Sequence, residues 1–94
     1  MTATWKPEKT DTAGRLTAAD KKILPESAFA FPAARKEPMT GPSHVRDAMA
    51  RFNQVEGVTD VEKDLAFSNI QKAAKHFNIK MNETNWHQFG SKQK

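Results

Sequence analysis

The sequence predicts an all-α protein, a small helical hairpin plus a short third helix with an extended aromatic-proline N-terminal arm. Three observations lead to this prediction. All five prolines lie within the first 42 of the 94 residues, so the first half cannot hold a long helix. The second half carries apolar residues at helical spacing in two stretches. A glycine and a Thr-x-x-Glu capping box separate these stretches.

The first long helix is predicted over residues 43–54. The start signal is Thr40-Gly41-Pro42-Ser43, in which Thr40 or Ser43 would cap the helix and Pro42 is tolerated near the first turn. Gly57 ends the helical stretch. The apolar stripe of this helix consists of Val45, Ala48, Met49, Phe52 and Val55.

The second helix is predicted from the capping box at residues 59–62 to about Phe77. Asn78 suits a left-handed residue after the helix, and Ile79 would fold back onto the last turn. A third helix is expected at about 83–89, capped by Asn82 and ended by Gly90. Trp86 and Phe89 would lie on its inner side. The apolar stripe of the second helix is Val61, Leu65, Ile70, Ala73, Ala74 and Phe77, widened by Ala66 and Phe67.

The domain organisation follows from the change in composition near residue 42. Residues 1–16 are expected to be a flexible tail, residues 17–90 a single helical domain, and residues 91–94 a second tail. Within the domain, residues 17–42 form the proline-rich arm, with a short helix at 18–23, and residues 43–90 form the helical bundle. The fold is therefore expected not to need residues 1–15.

Phe29 and Phe31 are the aromatic residues of the arm. They are two positions apart, so in an extended chain both side chains point to the same side. They would either fill the apolar surface of the helical half or form an exposed docking motif for a partner. Both alternatives remain open from the sequence.

The charge of the chain is positive but evenly distributed. Lys and Arg number 15 and Asp and Glu 11, which gives a net charge of +4. Residues 1–42 and residues 43–94 each contribute +2, and no run of five like charges occurs. This distribution permits nucleic-acid binding without indicating it. As an alternative function, a basic nucleic-acid-binding module would use Arg46, Arg51, Asn53, Lys21 and Lys22.

Motifs for catalysis or metal binding are not found in the sequence. There is no cysteine, the four glycines are isolated, and no serine lies in a nucleophile elbow. The histidines His44, His76 and His87 lack the spacing of paired metal ligands on a helix. No apolar run approaches the length of a membrane span, and the amino terminus lacks an apolar leader. We therefore expect a cytoplasmic, non-enzymatic protein without a cofactor, a metal or a membrane partner.

Three motifs in the middle of the chain are distinctive: Phe29-Ala30-Phe31-Pro32, Arg35-Lys36-Glu37-Pro38, and a helix that opens with His44-Val45-Arg46. Together with Ala50-Arg51-Phe52 and Val55-Glu56-Gly57-Val58, they resemble a short uncharacterised module of bacterial and bacteriophage-encoded proteins. The resemblance covers about residues 24–80. It implies a phage or mobile-element setting, in the bacterial host cell or associated with the virion, and implies no activity.

The sequence thus favours a non-catalytic interaction protein, an adaptor or a structural protein, that binds a protein partner or itself through the arm and the first long helix. A homo-oligomer would let two small hairpins share one core. In the alternative interpretation, the polar residues of these motifs are structural, with Arg35 or Lys36 paired to a helix acid such as Asp47. The residues predicted to bind the partner are Phe29, Phe31, Arg35, Lys36, His44 and Arg46.

Overall fold

The computed structural model describes residues 3–7 and 22–91, and within these ranges it combines three helices with two strands. The fold is mixed α/β, and the all-α prediction is wrong. The elements are β1 (Phe29–Phe31), β2 (Lys36–Pro38), α1 (Pro42–Arg51), α2 (Asp60–His76) and α3 (His87–Ser91), with 3-10 turns at Glu26–Ala28 and Phe52–Gln54.

The proline-rich arm is extended, as predicted, but it pairs with itself as a β-hairpin. Strands β1 and β2 are antiparallel, with Phe29 opposite Pro38 and Phe31 opposite Lys36. The Met39 N–H extends the pairing by donating to the Ala28 carbonyl at 2.8 Å. Proline is tolerated here because both strands of a two-stranded sheet are edge strands.

The turn between the strands has no sequence signal of a hairpin. It consists of residues 32–35 and lacks the glycine or asparagine that usually marks a tight turn. Arg35, the last residue of the turn, and Glu37, in β2, adopt positive φ angles of 52° and 59°. This conformation costs about 1–3 kcal/mol for each such residue. The Arg35 guanidinium counters this cost by donating to the Leu24 carbonyl at 2.7 Å and lying 4.7 Å from the Phe29 ring centroid.

The core lies between the hairpin and the helices. Helix α2 packs against β1, while α1 packs against both β2 and α2. Phe52 is at its centre, fully buried, with ring centroids 5.0 Å from Phe89 and 5.4 Å from Phe31. The two halves of the chain thus form one common core.

The ends of α2 confirm the prediction from the sequence. The Glu62 N–H donates to Thr59 Oγ1 at 3.1 Å, and the Thr59 N–H donates to Glu62 Oε1 at 2.7 Å, which completes the capping box. Asn78 follows the helix with a φ of 60°. The Ile79 N–H then donates to the Ala74 carbonyl at 2.7 Å, and this bond turns the chain back onto the helix.

Three details of the helices differ from the prediction. The N-cap residue of α1 is Gly41, rather than Thr40 or Ser43. Helix α3 begins at His87 rather than at 83, because the Asn85 side chain accepts a hydrogen bond from the His87 N–H at 3.0 Å. Val61 is 62% exposed, since the first buried residue of α2 is Ala66, more than one turn later.

The largest departure is at the N-terminus. Trp5, which the sequence placed in a flexible tail, is 1% exposed and belongs to the core. Lys22 and Ile23, at the end of the predicted short helix, are helical. The rest of that helix, residues 18–21, lies outside the described residues, as do residues 8–16 of the predicted tail and residues 92–94.

Asn69, on the buried face of α2, holds the N-terminal segment in place. Its Oδ1 accepts hydrogen bonds from the backbone N–H groups of Thr4 at 2.7 Å and Trp5 at 2.9 Å. Its Nδ2 donates to the Ala30 carbonyl at 2.9 Å. One side chain therefore joins the N-terminal segment, β1 and α2.

The role of Asn69 can be tested by the substitution Asn69→Ala. We expect the free energy of unfolding to fall by about 3 kcal/mol, because the buried N–H of Trp5 and the carbonyl of Ala30 lose their partner. Gln71→Ala is the matched control, since Gln71 is an exposed amide on the same helix, and should change stability by less than about 0.5 kcal/mol. Equal denaturant midpoints for the two variants would contradict this role.

The two phenylalanines that the sequence assigned to the core are buried to different extents. Phe52 is fully buried, whereas Phe77 is half-buried at the edge of the cluster. Phe52→Ala should therefore cost about 3–5 kcal/mol in chemical denaturation, and Phe77→Ala clearly less. A loss for Phe77→Ala that equals or exceeds that for Phe52→Ala would place the centre of the core elsewhere.

Candidate functional site

An open pocket of about 340 Å³ lies beside α1, where the chain after α2 passes close to that helix. Helix α1, the turn that follows it, the chain between α2 and α3, and α3 itself all contribute to its wall. The residues that line it are Arg46, Met49, Ala50, Asn53, Lys80, Asn82, Glu83 and Phe89.

One face of α1 forms one wall of the pocket. Arg46, Met49 and Ala50 are three and four positions apart, so they lie on one face of the helix. Asn53 continues this face into the 3-10 turn, seven positions after Arg46. The opposite face of α1 is buried in the core through Val45 and Ala48.

The opposite wall is set by the chain after Asn78. Ile79 and Met81 are partly buried against the core, and the alternate residues Lys80 and Asn82 are exposed. This alternation is that of an extended segment, whose successive side chains point to opposite sides. The left-handed Asn78 thus turns the chain so that Lys80 faces the pocket.

The pocket combines an apolar floor with a polar rim. Phe89 is buried and Met49 is partly buried, and both line the pocket. The rim carries the cations Arg46 and Lys80 and one carboxylate, that of Glu83, so its net charge is positive. Such a site suits a ligand that presents a negatively charged group beside an apolar one.

Of the residues that the sequence selected, Arg46 and Asn53 line this pocket, and Arg35 contacts Phe29 in the hairpin. Arg51 is exposed on α1 but does not line the pocket, and His44 is half-buried in the first turn of that helix. Lys36 is exposed at the start of β2, and Lys22 is exposed before the hairpin. Lys21 lies outside the described residues.

The aromatic residues of the arm are not available to a partner. Phe29 and Phe31 are each 1% exposed, so they do not form an exposed docking motif. Phe31 fills the core, as the structural alternative expected. Arg35 holds the chain before the hairpin, donating to the carbonyls of Lys22 at 3.3 Å and Leu24 at 2.7 Å.

Trp86 closes the edge of the core beside the pocket. Its ring stacks on His87 at 3.8 Å and on Phe52 at 6.1 Å between centroids. Its Nε1 donates to Asp64 Oδ1 at 2.7 Å, and the Lys63 ammonium lies 4.9 Å from the ring centroid. These contacts give Trp86 a structural role in joining α3 to α2.

Sequence reasoning missed most of the pocket. The exposed Lys80 and Asn82 alternate with partly buried residues after Asn78, and this pattern was the available signal. It is short, and nothing in it points to α1. Trp5 and Asn69 were also missed as structural residues, since their partners are distant in sequence.

The described residues, 3–7 and 22–91, lack two other features. In this part of the chain, no three His, Asp or Glu side chains are grouped so that they could hold a metal ion. Among the same residues, no helix has the length and apolar character needed to cross a membrane.

Comparison with known proteins identifies one family. A family model described as "Family of unknown function (DUF6582)" matches residues 8–84, which is most of the chain. The match confirms the predicted resemblance to a short uncharacterised module and extends it beyond residues 24–80 at both ends. No curated protein and no solved structure matches the chain.

Proposed function

We propose that this chain, which belongs to the DUF6582 family of unknown function, is a non-catalytic interaction protein that binds an acidic segment of a protein partner. The pocket beside α1 is the binding site. One observation carries the proposal: Arg46 and Lys80 line the same pocket as the apolar side chains of Met49 and Phe89.

The cations of the rim select the charge of the partner. An Asp or Glu side chain placed between Arg46 and Lys80 would form charge-assisted hydrogen bonds, which are stronger than neutral ones. Arg46 also offers a planar guanidinium that can bind both oxygens of a carboxylate. The net charge of +4 would favour encounter with an acidic partner.

The apolar floor of the pocket favours a partner segment in which an apolar residue lies next to the acidic one. A leucine or phenylalanine of the partner that covers Met49 and Phe89 would gain about 25 cal/mol for each Å² of apolar surface removed from water. The cations and the apolar floor would thus bind neighbouring residues of one partner segment. Of the predicted partner-binding residues, the proposed surface includes Arg46, and it does not include Phe29 and Phe31, which are buried.

A nucleic-acid-binding module is the second candidate. Arg46, Arg51 and Asn53 are all exposed on or just after α1, which supports a surface for phosphates. Glu83 does not separate the two candidates, because its carboxylate lies in the wall of the pocket and repels phosphates and carboxylates alike. The apolar side chains of Met49 and Phe89 in the same pocket favour a peptide over a phosphate backbone.

The proposal can be tested by charge reversal in the pocket. The probes are a fluorescent acidic peptide with alternating Glu and Leu residues, and a single-stranded DNA and RNA of 20 nucleotides. We expect the wild-type chain to bind the peptide and the double variant Arg46→Glu/Lys80→Glu to bind it at least about tenfold more weakly, a loss of about 1.4 kcal/mol.

The single variant Arg46→Glu is measured as well, and its matched control is Arg51→Glu, which makes the same charge change on the same helix outside the pocket. Peptide binding should change by less than about threefold in this variant, through long-range charge alone. Equal losses for Arg51→Glu and Arg46→Glu would reject the pocket as the site. Binding of DNA or RNA that falls steeply with salt, without binding of the peptide, would support the second candidate.

A further inference from the structure

The N-terminal segment of residues 4–6 occupies a groove as a bound peptide would. Trp5 is buried there, and its indole Nε1 donates to the Met39 carbonyl at 3.1 Å. The indole ring makes edge contacts with His76 and Phe77, with centroids 5.6 and 5.9 Å apart. The groove therefore provides a complete binding site for one tryptophan side chain.

The groove also binds the backbone of the segment. Three successive N–H groups donate to it: those of Thr4 and Trp5 to Asn69 Oδ1, and that of Lys6 to the Ser27 carbonyl at 2.9 Å. Backbone hydrogen bonds together with one deep side-chain pocket are a common mode of peptide recognition. None of these contacts requires that the segment be joined to the same chain.

The residues matched by the family model include the groove but not the tryptophan that fills it. The groove residues Ser27, Met39 and Asn69 lie within the matched residues 8–84, and Trp5 lies outside them. The part of the chain that the family shares thus supplies the receptor. The segment that fills it lies N-terminal to the matched residues.

We infer that this groove is a peptide-binding site that accepts residues 4–6 of a second copy of the chain in exchange for its own. Its occupant in the structure is the evidence for its specificity, because the second copy carries the same Thr4-Trp5-Lys6 sequence. The site is distinct from the pocket beside α1, which contains none of these residues.

The length of the connecting chain permits this exchange. Fourteen residues, 8–21, join the segment to the rest of the chain, and a fully extended chain of this length spans roughly 50 Å. The longest dimension of the molecule is 34 Å. The length of the chain alone therefore does not prevent exchange with a neighbouring copy. The segment of the same chain competes for the groove at an effective concentration of about 1 mM.

A binding experiment with the full-length variant Trp5→Ala tests the groove, because this variant keeps the groove and lacks the tryptophan that fills it. The probe is a fluorescent peptide of residues 1–8, and the control peptide has alanine in place of the tryptophan. We expect the probe to bind the variant at least about tenfold more tightly than it binds the wild-type chain at micromolar concentration, and the control peptide not to bind.

If Trp5→Ala does not fold by itself, the probe peptide should restore its helical circular dichroism and the control peptide should not. Failure of the probe either to bind the folded variant or to restore the unfolded one would overturn the inference. Equal binding to the wild-type chain and the variant would also overturn it, since the occupied groove of the wild-type chain should exclude the probe.

A mixture of two variants tests exchange between whole chains. The Trp5→Ala chain keeps an intact groove but lacks the tryptophan that fills it. The Asn69→Ala chain keeps the tryptophan, but its own groove lacks the side chain that accepts the backbone hydrogen bonds of the segment. We expect a one-to-one heterodimer in native mass spectrometry when both are mixed at about 1 mM, the effective concentration that exchange must match. If no heterodimer forms, or if Trp5→Ala alone forms a dimer of equal abundance, the segment does not exchange.

Discussion

The hydrogen bonds of one buried amide, that of Asn69, fix the relative positions of the N-terminal segment, β1 and α2. Its oxygen and its nitrogen are both used, and its partners lie 65, 64 and 39 positions away in the sequence. A buried amide without partners would cost several kcal/mol, so alternative arrangements of these segments are disfavoured. Among the described residues, every buried side-chain nitrogen and oxygen has a hydrogen-bond partner.

The position of the hairpin on α2 in turn determines the outer surface. Helix α1 rests on β2 and α2, and its buried side fixes which residues face outward. The chain after α2 returns at Asn78 and brings Lys80 to the exposed side of α1. The pocket is therefore a consequence of how the core is assembled, and a chain of this size needs both of its halves, and Trp5, to build that core.

Sequence reasoning located the helices better than the sheet or the site. Helix α2 and both its ends were predicted, because a capping box and a left-handed asparagine are signals within a few residues. The hairpin was missed because Arg35 and Glu37 take positive φ angles that favour glycine. Arg46 and Asn53 were selected from the outer face of α1, but their neighbours Lys80 and Glu83 come from a part of the chain that no periodicity connects to that helix.

The sequence by itself determined the local structure of the chain: where α1 and α2 form, how α2 is capped, and that the residues before them are extended and aromatic. It also determined the charge and the membership of an uncharacterised family. Only the tertiary structure decided that the arm pairs as a hairpin, that Trp5 is a core residue and that Asn69 binds it. The physical reason is the range of the interactions, since helix signals act over three or four residues and these contacts join segments tens of residues apart.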